Sequence, residues 1–135
     1  MKRYILFLGL MAWITMCATA QQAPRMVLHL QSADTLVHKS VINQVTNLKK
    51  EFPDAELDVI CHGPGLEFLK NNSVYARRIQ HKGLTGITFT ACEFTMSQRN
   101  VKHADLVPFA RTVPHALAEI VRKQQNGWLY IKLGF

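Results

Sequence analysis

The sequence predicts a three-layer α/β/α sandwich built on a five-stranded, mainly parallel sheet. Short apolar runs rich in β-branched residues alternate with segments of helical spacing. Turn and cap residues punctuate the boundaries between them. At 135 residues, the chain holds material for one domain. Strands separated by helices pair in parallel, and both faces of such a sheet need a helical cover.

Met26 to Gln31 reads as the first strand. Asp34 is a suitable N-cap, and Val37, Val41, Val45, Leu48 and Phe52 follow at helical spacing until Pro53-Asp54 stops the helix. Leu57 to Cys61 is the second strand, and His62-Gly63-Pro64-Gly65 a turn. Leu66 to Lys70 is a short helix broken by Asn71-Asn72, and Ser73 caps a further helix, Val74 to Lys82, closed by Gly83. Ile87, Phe89 and Ala91 alternate with Thr88 and Thr90, which predicts the third strand. Glu93 to Arg99 is helical, and Leu106-Val107 is the expected fourth strand, ended by Pro108. Thr112 and Pro114 open a helix whose inner face is expected to carry Leu117, Ile120 and Val121. Asn126-Gly127 ends it, and Trp128 to Leu133 is the last strand.

Residues 1–20 read as a leader rather than as part of this fold. Lys2 and Arg3 precede an apolar run from Tyr4 to Ile14, and Ala18-Thr19-Ala20 supplies a small-x-small cleavage pattern. The run is shorter than the roughly 20 apolar residues that span a bilayer. The expected mature domain is therefore residues 21–135, secreted, most simply into a bacterial periplasm. Without Lys2 and Arg3 the 16 cations fall to 14, and the net charge falls from +7 to +5. Export places the protein away from RNA and DNA, and no aromatic-basic recognition motif is present, so nucleic acid is not an expected partner. Arg77, Arg78, His81 and Lys82, Arg99, Lys102 and His103, and Arg122-Lys123 read as ordinary solvated helix faces.

In an open parallel sheet, ligands bind beyond the C-terminal ends of the strands. The segments 31–34 and 62–65 and the residues after Ala91 share that edge, and so do Cys61 and Cys92. Cys92 stands where a strand passes into a helix. Backbone N–H groups and the helix dipole there favour negative charge on sulfur, and the thiolate is the form that attacks another sulfur. Cys61 reads first as a small packed strand residue. If the two strands are neighbours, the thiols could also come within the roughly 7 Å Cα separation that a disulfide needs. His62 beside the Gly-Pro-Gly turn reads first as a partly exposed turn residue, placed so that it could also orient a thiolate or an anion, and His29 reads as a packed, hydrogen-bonded core histidine. The paired spacing of a zinc site is missing, so no metal and no cofactor is expected.

His62-Gly63-Pro64-Gly65-Leu66, Ala91-Cys92-Glu93-Phe94-Thr95-Met96, and Val113-Pro114 leading to Gln125-Asn126-Gly127-Trp128-Leu129-Tyr130-Ile131 come in this order at these strand positions. In them, the sequence resembles the DsrE/DsrF-like family of small α/β proteins over nearly all of the mature chain. The resemblance implies the three-layer fold and assembly as a trimer or hexamer. It also implies, as in some relatives, passage of persulfide sulfur from the cysteine that Cys92 matches. Phe94 stands where the family motif often has Asn, and Ala116 where it often has Gly.

The expected site is therefore Cys92 as the reacting thiol, with His62, Gly63, Gly65 and Thr95 shaping the pocket and Cys61 as a second thiol. The leading expectation is a secreted oligomeric protein that accepts and passes on sulfane sulfur, or exchanges thiols, through Cys92. Its partner would be a protein thiol or a small sulfur compound. The alternative is a non-catalytic oligomeric protein that binds a small anionic ligand in the strand-end pocket.

Overall fold

The computed structural model describes residues 22–75, 78 and 85–134. The expected leader, residues 1–20, lies outside the described residues. So does most of the helix expected over 74–82, including Arg77, His81 and Lys82, together with Gly83, expected to close it. Val74, Tyr75 and Arg78 of that stretch are helical.

Five strands form one parallel sheet: β1 (Arg25–Leu30), β2 (Glu56–Cys61), β3 (Ile87–Cys92), β4 (Ala110–Val113) and β5 (Leu129–Leu133), in the spatial order β4-β3-β2-β1-β5. Helix α1 (Thr35–Glu51) joins β1 to β2, α2 (Glu93–Gln98) follows β3, and α3 (Ala116–Gln125) joins β4 to β5. This is the predicted three-layer α/β arrangement. Alternate residues of each strand face opposite layers. Met26, Leu28, Leu30, Leu57, Val59, Cys61, Phe89 and Ala91 pack with Val37, Val41, Ile42 and Val45 of α1. Val27, Ile60 and Cys92 pack with Ala116 and Ile120 of α3 on the other face. Each fully buried Val or Leu side chain in these layers contributes roughly 1.5–3 kcal/mol of hydrophobic stabilisation.

Asp34 caps α1 as expected, its Oδ1 accepting the Leu36 N–H at 2.8 Å. Lys49 closes the other end of α1 by donating to the carbonyls of Pro53 and Ala55. The turn and short helix expected over 62–70 are one 3-10 helix, Gly63–Leu69, with Pro64 in its first turn.

Two expectations are corrected. The fourth strand is Ala110–Val113, not Leu106-Val107, and it pairs with β3 from Phe89↔Ala110 to Cys92↔Val113. Leu106 and Val107 are core residues of the connection, where Leu106 makes an isolated antiparallel bridge with Lys70. Their apolarity reflects burial rather than strand pairing. Thr112 accordingly lies in β4, and the helix after it starts at Ala116. On α3 the inward residues are Ala116 and Ile120, while Leu117 and Val121 are 58% and 53% exposed. The inward stripe continues to Lys123, whose ammonium is 3.0 Å from the buried Asp58 carboxylate. Lys123 is therefore not the solvated helix cation that its sequence context suggests.

Candidate functional site

The C-terminal edge of the sheet carries a cavity of about 380 Å³. Its wall includes Gln31 after β1, His62 and Gly63 after β2, Cys92 at the end of β3, and Phe94, Thr95 and Gln98 of α2. His115, Ala116 and Leu117 at the start of α3 complete it. The fold makes this gap at a topological switch. The connection after β3 sends Met96 to the α1 side of the sheet, whereas β4 leads into α3 on the opposite side.

Cys92 is 4% exposed and forms part of the cavity wall. It is the N-cap residue of α2 and also meets the start of α3. The Ala116 N–H, first in α3, donates to Cys92 Sγ at 3.4 Å, and the thiol donates to the Pro114 carbonyl at 3.9 Å. That carbonyl also accepts the Phe94 N–H at 3.1 Å, so the two loops converge on the sulfur. An N–H donor at a helix start stabilises negative charge as it develops on sulfur.

Thr95 is buried, and its hydroxyl accepts the Gly63 N–H at 3.0 Å. This bond ties the loop after β2 to α2 and so sets the width of the cavity. Gly63 has φ +52°, in the left-handed region where glycine is favoured. His62 borders the cavity with its ring edge-on to His29, the ring centroids 4.7 Å apart. His29 Nδ1 lies 2.9 Å from the Tyr130 hydroxyl, which bears out the packed, hydrogen-bonded histidine read from the sequence. His29 Nε2 and His62 Nδ1 are buried without a hydrogen-bond partner among the described residues. Burial pushes the pKa of both rings below the ordinary histidine value. For His29 the neighbouring His62 and then Lys132 add to that effect.

Of the sequence-predicted residues, Cys92, His62, Gly63 and Thr95 meet in the cavity wall. Gly65 and Cys61 do not. Gly65 is buried at a close backbone approach: a Cβ there would stand 2.2 Å from the Leu30 carbonyl oxygen. Cys61 is a free thiol buried on the α1 face, and its pKa is pushed up by burial and, secondarily, by Asp58. Gln31, Gln98 and His115 were not anticipated as site residues. Their positions just after β1, late in α2 and just before α3 are the signal that could have found them.

Among the described residues, no group of three or more His, Cys, Asp or Glu side chains is arranged to hold a metal ion. No described helix is long and apolar enough to cross a membrane. Fold and site together define a small α/β sandwich protein with a single cysteine in a strand-end cavity. No protein-family model matches the chain, and no curated protein does. The solved structure of a protein of unknown function from Methanobacterium thermoautotrophicum is similar, with a TM-score of 0.77 and 27% identity. The match covers 81% of this chain and 98% of that one.

Proposed function

We propose that the protein is a secreted, oligomeric DsrE/DsrF-like protein that handles sulfur through Cys92. The observation that carries this reading is the Ala116 N–H on Cys92 Sγ at the wall of a 380 Å³ cavity. In the proposed step, the Cys92 thiol loses its proton and the thiolate attacks the outer sulfur of a donor persulfide. The new Sγ–S bond forms as the donor's S–S bond breaks, and the donor leaves as its thiolate. A partner thiolate then attacks the outer sulfur of the Cys92 persulfide, and Cys92 is released as a thiolate. No net oxidation or reduction occurs. Thiol exchange with a disulfide uses the same nucleophile.

Oligomer formation has support from apolar surface. Leu129 and Tyr130 are exposed on β5, an edge strand, Phe94 and Leu117 are exposed in the cavity wall, and Val121 is exposed one turn further along α3. The competing reading, capture of a small anion, finds no lysine or arginine in the cavity wall among the described residues.

The test is sulfur loading. The protein is incubated with a low-molecular-weight persulfide, and its intact mass is followed. Addition of one sulfur atom to the wild type, transferable to an added thiol and absent in Cys92→Ser, is the expected result. Equal loading of Cys92→Ser would overturn the proposal.

A further inference from the structure

We propose that Tyr130, His29 and His62 form one tautomer-coupled file that takes the Cys92 proton out of the cavity while both imidazoles stay neutral. The inference rests on Cys92 being the reacting thiol.

The file is drawn from three contacts. The Tyr130 hydroxyl is 2.9 Å from His29 Nδ1. The His29 and His62 rings meet edge to face, with centroids 4.7 Å apart and planes at 80°. His62 and Cys92 share the cavity wall. Each ring retains one buried nitrogen without a partner among the described residues, Nε2 of His29 and Nδ1 of His62. A buried, unpaired polar atom is costly, and a neutral imidazole has one N–H and one lone pair. Two such atoms on touching rings satisfy each other when one carries hydrogen and the other does not. In the proposed file these two atoms bond to each other.

A cation is the state this corner resists. Burial disfavours the charged form of both rings, and charge on His62 and then Lys132 further disfavours charge on His29. Charged and titratable groups on this side of the sheet include Lys132 and Tyr130 of β5, Arg25 of β1 against Trp128, the Asp58–Lys123 ion pair between β2 and α3, and Glu119 of α3 at 4.0 Å from Lys123. Cys92 and His115 lie in the same cavity wall as His62.

A coupled shift removes the proton without creating that cation. The Cys92 thiol proton goes to His62 Nε2, and the hydrogen on His62 Nδ1 passes to His29 Nε2. The hydrogen on His29 Nδ1 passes to the Tyr130 oxygen, whose own hydrogen goes to water. Tyr130 is 42% exposed and so meets solvent. One proton leaves Cys92 and one enters water. Both rings end neutral, and His62 then carries an N–H able to donate to the thiolate. His29 and Tyr130 are positioning residues that act through His62.

The experiment is ¹⁵N NMR of the histidine ring nitrogens of the full chain, recorded across the pH range in which Cys92 ionises. The Cys92 ¹³Cβ shift reports that ionisation. The expected result is a change from Nδ1–H to Nε2–H in both His29 and His62 as Cys92 ionises, with neither ring doubly protonated. Tyr130→Phe, a change at an exposed edge position, loses the coupled change in His29. Cys92→Ser leaves both tautomers constant over the same range. A doubly protonated His62 at the Cys92 transition, tautomers that ignore Cys92, or an unchanged response in Tyr130→Phe would each overturn the proposal. The readout needs no sulfur donor, so failure of sulfur loading and failure of the proton file are separate results.

Discussion

Cys61 and Cys92 end neighbouring strands yet lie on opposite faces of the sheet. Cys61 is in register with Ala91, so Cys92 is one residue further along and points the other way. Cys61 packs in the α1 layer, Cys92 in the α3 layer, and both are free thiols. The disulfide that their shared edge permits on sequence grounds is thus blocked by the pleat of the sheet.

The two thiols should therefore react in separate regimes. Iodoacetamide at neutral pH is expected to label Cys92 in the native protein and Cys61 only after denaturation, because burial holds the Cys61 thiol in its protonated form. Intact mass with peptide mapping checks this. A mass lower by two hydrogens, with a Cys61–Cys92 peptide, would contradict it.

The two loop glycines differ in kind. Gly65→Ala places a Cβ 2.2 Å from the Leu30 carbonyl oxygen, so backbone must move. A loss of about 3 kcal/mol or more in urea denaturation is expected. Gly63→Ala meets only the Gln31 side chain, at 3.7 Å, and its difficulty is the positive φ. Its cost should be about 1–2 kcal/mol. Equal effects at the two positions would contradict this assignment.

Under α3, Asp58 accepts from Thr90 at 2.7 Å and faces Lys123 Nζ at 3.0 Å. Lys123 also lies 3.8 Å from the Trp128 ring centroid. Lys123→Met leaves a buried carboxylate without its cation, and about 3–5 kcal/mol of stability should be lost. Asp58→Asn added to Lys123→Met removes the stranded charge and keeps an acceptor for Thr90. The double variant is expected to be more stable than the single one, as measured by paired denaturation curves.

Stability should fall on mild acidification. His29 and His62 have folded-state pKa values below the unfolded one, so the unfolded chain takes up protons first as pH drops. Their contribution is intact above the ordinary histidine pKa and is lost as pH falls through the folded values. Thermal melts from neutral to mildly acidic pH should show a decreasing Tm. Replacing both rings, as in His29→Asn with His62→Asn, should flatten the decrease. An unchanged slope would remove the two histidines from the explanation.

Much of the fold was legible because its signals are local. The Asp34 cap, the spacing of Val37, Val41 and Val45, and the apolar runs of β1, β2 and β3 depend on neighbours in the chain. The site was legible in part for the same reason: Cys92, His62, Gly63 and Thr95 each stand at a strand end or just past one. β4 was not, because four residues with one buried side chain carry a weak pattern beside the more apolar Leu106-Val107.

The sequence by itself determined the layer order, the edge at which a site could form and the thiol that ends β3. Those follow from periodicity and from turn chemistry. Only tertiary structure decided which face each cysteine joins, that Lys123 turns inward to Asp58, and that Tyr130, His29 and His62 come together. Tyr130 and His29 are 101 residues apart, and they meet because β5 pairs beside β1. Long-range register sets such contacts, and no local spacing of residues encodes it.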